Sequence, residues 1–216
     1  MPSSDLHMTA LEITHSLTAS EIDSLVGKML PAAQSIADFP SASPQHHVRL
    51  VKPCVSFDAQ ALALSWLPAA GEPSSDSSVP SSSASSSSPH DDGYTYHHLR
   101  RDLFAQASAT GVEVASRYVI PSAHLTIGRF ITKKDFEVSA GGGEGGVVDG
   151  EKVERLVKVI ESINEWLEKE YWPSTTEGGK GKGIEWIVGQ EKGLEFRKGA
   201  LWYGSGGEMV VLGKGF

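Results

Sequence analysis

Two tripeptides carry residue types that can move protons and hold an anion, His7-Met8-Thr9 and His124-Leu125-Thr126. On a β-strand, alternation puts the imidazole and the hydroxyl of a His-x-Thr on the same face. Two such strands facing a cleft present two imidazoles, one to take a proton from water and one to protonate a departing oxygen. The threonine hydroxyls can donate to nonbridging phosphate oxygens, where negative charge has to be stabilised. Histidine suits both proton-transfer roles because its unperturbed pKa is near neutrality, and this division of labour needs no metal. A single His-x-Thr is a weak signal in a chain with 8 histidines. Two copies, each in an apolar strand-like run and each followed by the same order of elements, are informative.

The elements that must position these residues recur in order. Residues 7–13 read as an extended segment with His7, Thr9 and Leu11 on one face. Thr18 with Glu21 forms a capping-box pattern, and Ile22, Leu25, Val26 and Met29 repeat at helical spacing until Pro31. Strand-like runs at 49–57 and 61–67 follow, joined by a polar turn at Asp58 and Ala59. The second set opens at 123–131, with His124, Thr126 and Gly128 on one face and Leu125, Ile127 and Arg129 on the other. Val153, Leu156, Val157, Ile160, Ile163 and Leu167 then mark a helix that Pro173 ends. Strand-like runs at 184–188, 194–197, 201–203 and 209–212 complete the set. Between the sets, Tyr96, Leu99, Leu103 and Ala107 define a helix over 95–110, with Gly111 as its terminator, leading into a strand at 114–120. The expectation is an α+β protein of two similar lobes, each presenting one His-x-Thr strand to a cleft between them.

A length of 216 residues suits a single two-lobed domain. The serine-dominated tract 71–93 has too little apolar surface to repay its ordering entropy and reads as a disordered insertion; 139–150 and 173–183 read as Gly-rich loops. Gly141, Gly143 and Gly146 satisfy a G-x-G-x-x-G pattern, but inside a glycine-biased tract, and the lysines of 178–183 lack the G-K-[ST] ending of a phosphate loop. A formal charge of −8 argues against an extended nucleic-acid surface, while leaving room for a small phosphate ligand or one RNA end. Cys54 is the single cysteine, which excludes an internal disulfide and fits a reducing compartment. No secretory signal or membrane span is visible, so the expected setting is intracellular, cytoplasmic or nuclear.

The motifs together resemble the two-histidine (2H) phosphoesterase superfamily, in its RNA ligase/cyclic nucleotide phosphodiesterase-like branch. The likeness rests on Leu6-His7-Met8-Thr9-Ala10-Leu11-Glu12, on Ser116-Arg117-Tyr118-Val119-Ile120-Pro121-Ser122-Ala123-His124-Leu125-Thr126-Ile127, and on the tail 193–216. It implies a bilobal fold, two antiparallel sheets flanking a central cleft with helices outside. It also implies His7 and His124 as general acid and base, Thr9 and Thr126 as phosphate ligands, and ribose cyclic phosphodiesters or 2′,5′-linked RNA ends as substrates. That family carries a strand and a helix before its first motif, whereas Met1 to Leu6 precede His7 here, so the first sheet is expected to lack a strand and to expose an edge.

The expected activity is metal-independent hydrolysis of a 2′,3′-cyclic phosphate or related ribose cyclic phosphodiester. It would need no cofactor, no membrane and no protein partner. A nucleotide- or RNA-end-binding module with weak turnover, and a 2′-5′ RNA ligase-like enzyme, are the alternatives. Arg129, Tyr118 and His15 are candidate supporting residues, although alternation turns Arg129 away from His124. His46-His47 reads as loop and His97-His98 as solvated helix surface. Arg49 and Lys52 suit either an anionic ligand or a solvated strand edge, and Trp166 and Trp172 are expected to anchor their helix on the sheet. Tyr96, Tyr118, Trp186, Trp202 and Tyr203 read mainly as core, with base stacking as the functional option.

Overall fold

The computed structural model describes residues 6–73, 92–115, 122–139, 146–174, 183–199 and 207–216. In chain order these form α1 (Ala19–Ala37), β1 (Arg49–Phe57), β2 (Ala61–Pro68), α2 (Tyr96–Ala109), β3 (Ala123–Arg129), β4 (Glu137–Ser139), β5 (Gly146–Val148), α3 (Gly150–Tyr171), β6 (Trp186–Ile187), β7 (Glu195–Lys198) and β8 (Glu208–Leu212). The class is α+β. An antiparallel sheet runs β3-β2-β1-β6, and β4-β5 and β7-β8 form separate two-stranded hairpins.

The β1-β2 hairpin closes on Asp58, whose carboxylate accepts the backbone N–H of Gln60 at 2.7 Å and of Ala61 at 2.8 Å. One face of the sheet packs on α2, where Tyr96, Leu99 and Leu103 meet Val48, Leu50, Ala123 and Val188 in one buried cluster. Met8, Ala10 and Leu11 pack against the same cluster. A second cluster of Met29, Ala107 and Val112, with Leu25, Ile36 and Phe196 against it, joins α1 to α2 and to β7. Each fully buried large side chain contributes about 1.5–3 kcal/mol relative to exposure. These two clusters therefore fix the helices to the sheet and to the tail hairpin.

The helix expected to stop at Pro31 runs on to Ala37. Proline removes one hydrogen bond and costs about 3 kcal/mol in a helix interior. Met29, Ala33 and Ala37 are all buried on one stripe that spans it. Burial on both sides of the proline outweighs that cost, and the last turn is held from outside by Leu194 N–H on the Ala37 carbonyl and Gln34 Nε2 on the Leu212 carbonyl. A β-carbon on Gly213 would overlap the Ala37 carbonyl, so the tail approaches α1 as closely as it does only because that residue is glycine.

Other expectations are corrected too. The tract 139–150, read as a loop, has strand residues at both margins, because Glu137–Ser139 pairs with Gly146–Val148. Trp166 is 51% exposed, with its ring edge to face with Tyr171 of its own helix at 5.0 Å, whereas Trp172 Nε1 donates to the Pro53 carbonyl at 2.9 Å. His98 is half-buried, accepting the Thr95 N–H at 3.1 Å and stacking on Tyr94. His46 and His47 stack on Phe39 and Phe216. Residues 201–203, and 116–120 of the expected strand after α2, lie outside the described residues; Ala115 N–H donates to the Ile13 carbonyl at 2.7 Å.

Arg49 is neither a ligand nor a solvated edge group. It is 3% exposed, with Nη1 3.1 Å from both Asp92 carboxylate oxygens, Nε 3.0 Å from Glu185, and Nη2 3.0 Å from the Glu72 carbonyl. Asp92 also accepts the Gly71 N–H at 2.8 Å, and Lys52 pairs with Glu72. The margins of the tract read as a disordered insertion, Gly71 and Glu72 at one end and Asp92 at the other, are thus tied to one buried guanidinium.

A buried cation left without its partners costs about 3–5 kcal/mol, more than replacing the whole group by an apolar one. The double substitution Asp92→Asn with Glu185→Gln is expected to lower stability by about that amount in urea titrations, and so is Arg49→Met, which leaves two largely buried carboxylates without their cation. Equal stability of wild type and double variant would show that the clamp holds nothing.

Burial, the largest single effect, pushes the Glu72 carboxyl up, but the hydrogen bond and charge of Lys52 together with the backbone N–H groups of Ala70 and Glu72 outweigh it, so the group ionises below its ordinary 4.5. The hydrogen bond from Arg101 likewise holds the Asp102 carboxyl down. For such groups the stabilisation is present at neutral pH and is lost as pH falls from the ordinary carboxylate range through the lowered value. Lys52→Met is therefore expected to flatten the acid limb of a stability-pH curve and to leave its shape above pH ~6 unchanged.

Candidate functional site

Backbone pairing brings the two tripeptides together. Met8 and Leu125 form an antiparallel bridge. In an antiparallel pair, continuing that register puts His7 opposite Thr126 and Thr9 opposite His124. Side chains opposite one another share a face, so all four functional groups lie on one side of the strands while Met8 and Leu125 lie on the other. Packing agrees. Met8 and Ala10 rest on the α2 cluster, and Ala123, beside His124 in sequence, is 3% exposed within it. The histidines therefore occupy the face turned away from α2. Leu11 departs from the expected alternation: it packs into both clusters instead of sharing the His7 face.

Directly opposite β-carbons lie about 4.5–5.5 Å apart and diagonal ones about 7–8 Å. His7 and His124 are a diagonal pair, a spacing at which two imidazoles can reach opposite sides of one small anion. His7 is exposed, and Thr9, His124 and Thr126 are half-buried. His124 Nδ1 lies 3.0 Å from Ser122 Oγ and 3.2 Å from the Ser122 carbonyl oxygen.

The register continues across the sheet. His124 is opposite Ser65, which is opposite Cys54; Thr126 is opposite Ala63, which is opposite Ser56. Ser56 Oγ and Ser65 Oγ are 2.6 Å apart. The floor beside the histidines is thus built of small residues, and Leu67, next along β2 on the same face, is 49% exposed. Sequence reasoning placed Ser65 and Cys54 on strands but not beside His124. Only pairing supplies that, and each hairpin turn fixes just its own pair of strands.

Helix α3 closes the outer edge of β1. Asn164 accepts the Val55 N–H at 2.6 Å and donates to the Val55 carbonyl at 3.0 Å, occupying the bonds a further strand would make. Between that helix and the strand lies a groove of about 430 Å³ lined by Cys54, Glu161, Asn164, Glu165, Glu168 and Trp172. Its three carboxylates disfavour a phosphate, and burial pushes the Cys54 thiol up, away from a reactive thiolate.

The supporting residues fare differently. Arg129 is exposed at the end of β3, beyond an irregularity in the β2-β3 register. His15 Nδ1 is 3.0 Å from Ser16 Oγ, at a turn where Ser16 has φ 60, and belongs to the entry into α1. Tyr118 lies outside the described residues. Tyr96, read as core, is core with a further function: its hydroxyl, at 1% residue exposure, donates to the Thr9 carbonyl at 3.0 Å. Among the described residues no three His, Cys, Asp or Glu side chains come together as a metal site, and no helix is long and apolar enough to cross a membrane.

No family model, curated protein or solved structure matches this chain.

The Tyr96 hydrogen bond predicts that Tyr96→Phe leaves the Thr9 carbonyl without that partner and costs about 1–3 kcal/mol. The loss should be read as faster hydrogen exchange of the 8–11 amides, with the β1-β2 amides unaffected. Uniform acceleration across both segments would mean that Tyr96 supports the whole core and not the first motif.

Proposed function

We propose that the chain is a metal-independent phosphodiesterase acting on ribose cyclic phosphodiesters, a 2′,3′-cyclic phosphate of a nucleotide or RNA end being the simplest case. The observation that carries this reading is the antiparallel bridge between Met8 and Leu125, which puts two imidazoles and two hydroxyls on one face. Phosphate sits over the bridge. Thr9 and Thr126 donate to its nonbridging oxygens, one histidine takes a proton from the attacking water, and the other gives a proton to the leaving ribose oxygen. Water forms the new P–O bond as the ring P–O bond breaks, and the product is a phosphomonoester beside a free hydroxyl.

The bilobal arrangement of the resembled family is part of this proposal. In it the β3-β2-β1-β6 sheet belongs to one lobe, and the 6–14 segment with α1 and the β7-β8 hairpin to the other. The binding groups are local donors, suited to a small anion. A net charge of −8 makes a long polyanion a poor ligand.

Purified protein should hydrolyse 2′,3′-cyclic AMP in the presence of EDTA. His7→Ala and His124→Ala should each lower kcat by about 10²–10⁴. Thr9→Ala and Thr126→Ala should lower it by about 10–10³, the range set by loss of one donor to a developing oxyanion. Activity abolished by EDTA and restored by a divalent metal would refute the mechanism, and so would full activity in both histidine variants.

A further inference from the structure

Ser122 precedes His124 by two residues, and Ala123 between them is buried against α2. Alternation therefore puts Ser122, His124 and Thr126 in one row on the same face. Both oxygens of Ser122 lie against the same ring nitrogen, the hydroxyl at 3.0 Å and the carbonyl at 3.2 Å from His124 Nδ1. A carbonyl oxygen only accepts. With hydrogen on Nδ1, the ring donates to the carbonyl and the hydroxyl oxygen together. With hydrogen on Nε2, the Nδ1 lone pair would face the carbonyl lone pairs at 3.2 Å, and only the hydroxyl contact would attract.

We propose that Ser122 is a positioning residue for His124: its carbonyl oxygen selects the Nδ1–H tautomer and its hydroxyl oxygen, accepting from the same N–H, adds to the hold on the ring orientation, making Nε2 the nitrogen that exchanges protons. The motif is then Ser-x-His-x-Thr on β3. The group that fixes the tautomer of a functional imidazole is commonly a carbonyl or a carboxylate on the other ring nitrogen. Here one residue supplies two acceptors from the same strand, so the grip forms as soon as β3 does and needs no distant element. The effect on turnover rests on the phosphodiesterase reading above; the tautomer does not.

Two-bond ¹⁵N–¹H correlation spectra of histidine-labelled protein, at a pH where the imidazoles are neutral, decide it, with the His124 signal identified by its loss in His124→Ala. Wild type is expected to show His124 protonated on Nδ1. Ser122→Ala, which keeps the carbonyl and removes the one Ser122 group able to donate to Nδ1, is expected to keep the Nδ1–H form but to shift and broaden the His124 signals as the ring loses one of its two acceptors, and Ser122→Thr, which keeps the hydroxyl, to restore them. On 2′,3′-cyclic AMP the alanine variant should lose on the order of tenfold in kcat, the scale on which outer contacts to a functional histidine act, with KM within about twofold and the melting temperature unchanged. An Nε2–H tautomer in wild type, or a Ser122→Ala spectrum identical to wild type, would overturn the proposal. If the spectra behave as expected while no cyclic phosphodiester is hydrolysed, the positioning role stands and the phosphodiesterase reading falls.

Discussion

The backbone pairing of Met8 with Leu125 is the constraint on which the site depends. Antiparallel pairing converts one contact into a complete assignment of neighbours, so His7 opposite Thr126 and Thr9 opposite His124 follow from it. A slip of one residue in either strand would carry an imidazole and a hydroxyl to the face that packs on α2. What prevents the slip is apolar. Met8 and Ala10 on one strand and Ala123 on the other pack against or within the cluster formed by Tyr96, Leu99 and Leu103. Apolar residues thus set the register of the four polar residues of the candidate site. The middle position of His-x-Thr is therefore a packing position with as much influence on geometry as its neighbours.

The pairing is held at its margins by groups distant in sequence. Tyr96 reaches from the first turn of α2 to the Thr9 carbonyl, so the helix that fills the core also fixes the height of the first motif. Thr18 and Glu21 start α1 shortly after the extended segment, with the Thr18 N–H on the Glu21 carboxylate at 2.8 Å, which ends that segment at a defined point. On the far side of the sheet Arg49 gathers Asp92, Glu185 and the Glu72 carbonyl. That network ties the β2 exit, the α2 approach and the β6 approach to one guanidinium. A planar group with five donors suits this in a way that a lysine would not.

Local patterns were legible in the sequence; pairings were not. The capping box at Thr18, the hairpin turning on Asp58, the α2 limits at Thr95 and Thr110 and the strand through His124 all follow from residues within a few positions of one another. Pro31 misleads for the same reason: a rule about one residue competes with burial of Met29 and Ala37, whose partners come from α2 and the tail. The ion pairs of Arg49 were invisible because Asp92 lies across a serine-dominated tract that composition alone sets aside. The two motifs could be recognised singly by alternation, and their convergence was an expectation that only long-range strand pairing can supply. Ser122 was present in the quoted run, but nothing in its spacing distinguishes a ring-holding hydroxyl from any other serine.

The remaining physical question is how a chain of net charge −8 would hold the anion of the proposed reaction. Exposed charges more than about 8–10 Å away are largely screened at physiological ionic strength, so the overall charge weakens encounter more than it weakens binding. What matters is the composition of the face itself. His7, Thr9, His124, Thr126, Ser65, Ser56, Ala63 and Cys54 include no carboxylate, and the acidic side chains Glu161, Glu165 and Glu168 lie in the groove beyond Cys54, on the α3 side of β1. Small side chains at Ala63 and Ser65 also keep the floor low, so a ligand can lie flush against the strands within reach of short hydroxyls. A threonine or serine hydroxyl acts only at hydrogen-bond range, about 2.5–3.0 Å for O–H···O, and a bulky residue at Ala63 would lift the anion out of it. On the proposed reading, selectivity for a small phosphodiester over a long polyanion would follow from short-range donors on a low floor without carboxylates in a chain of net negative charge.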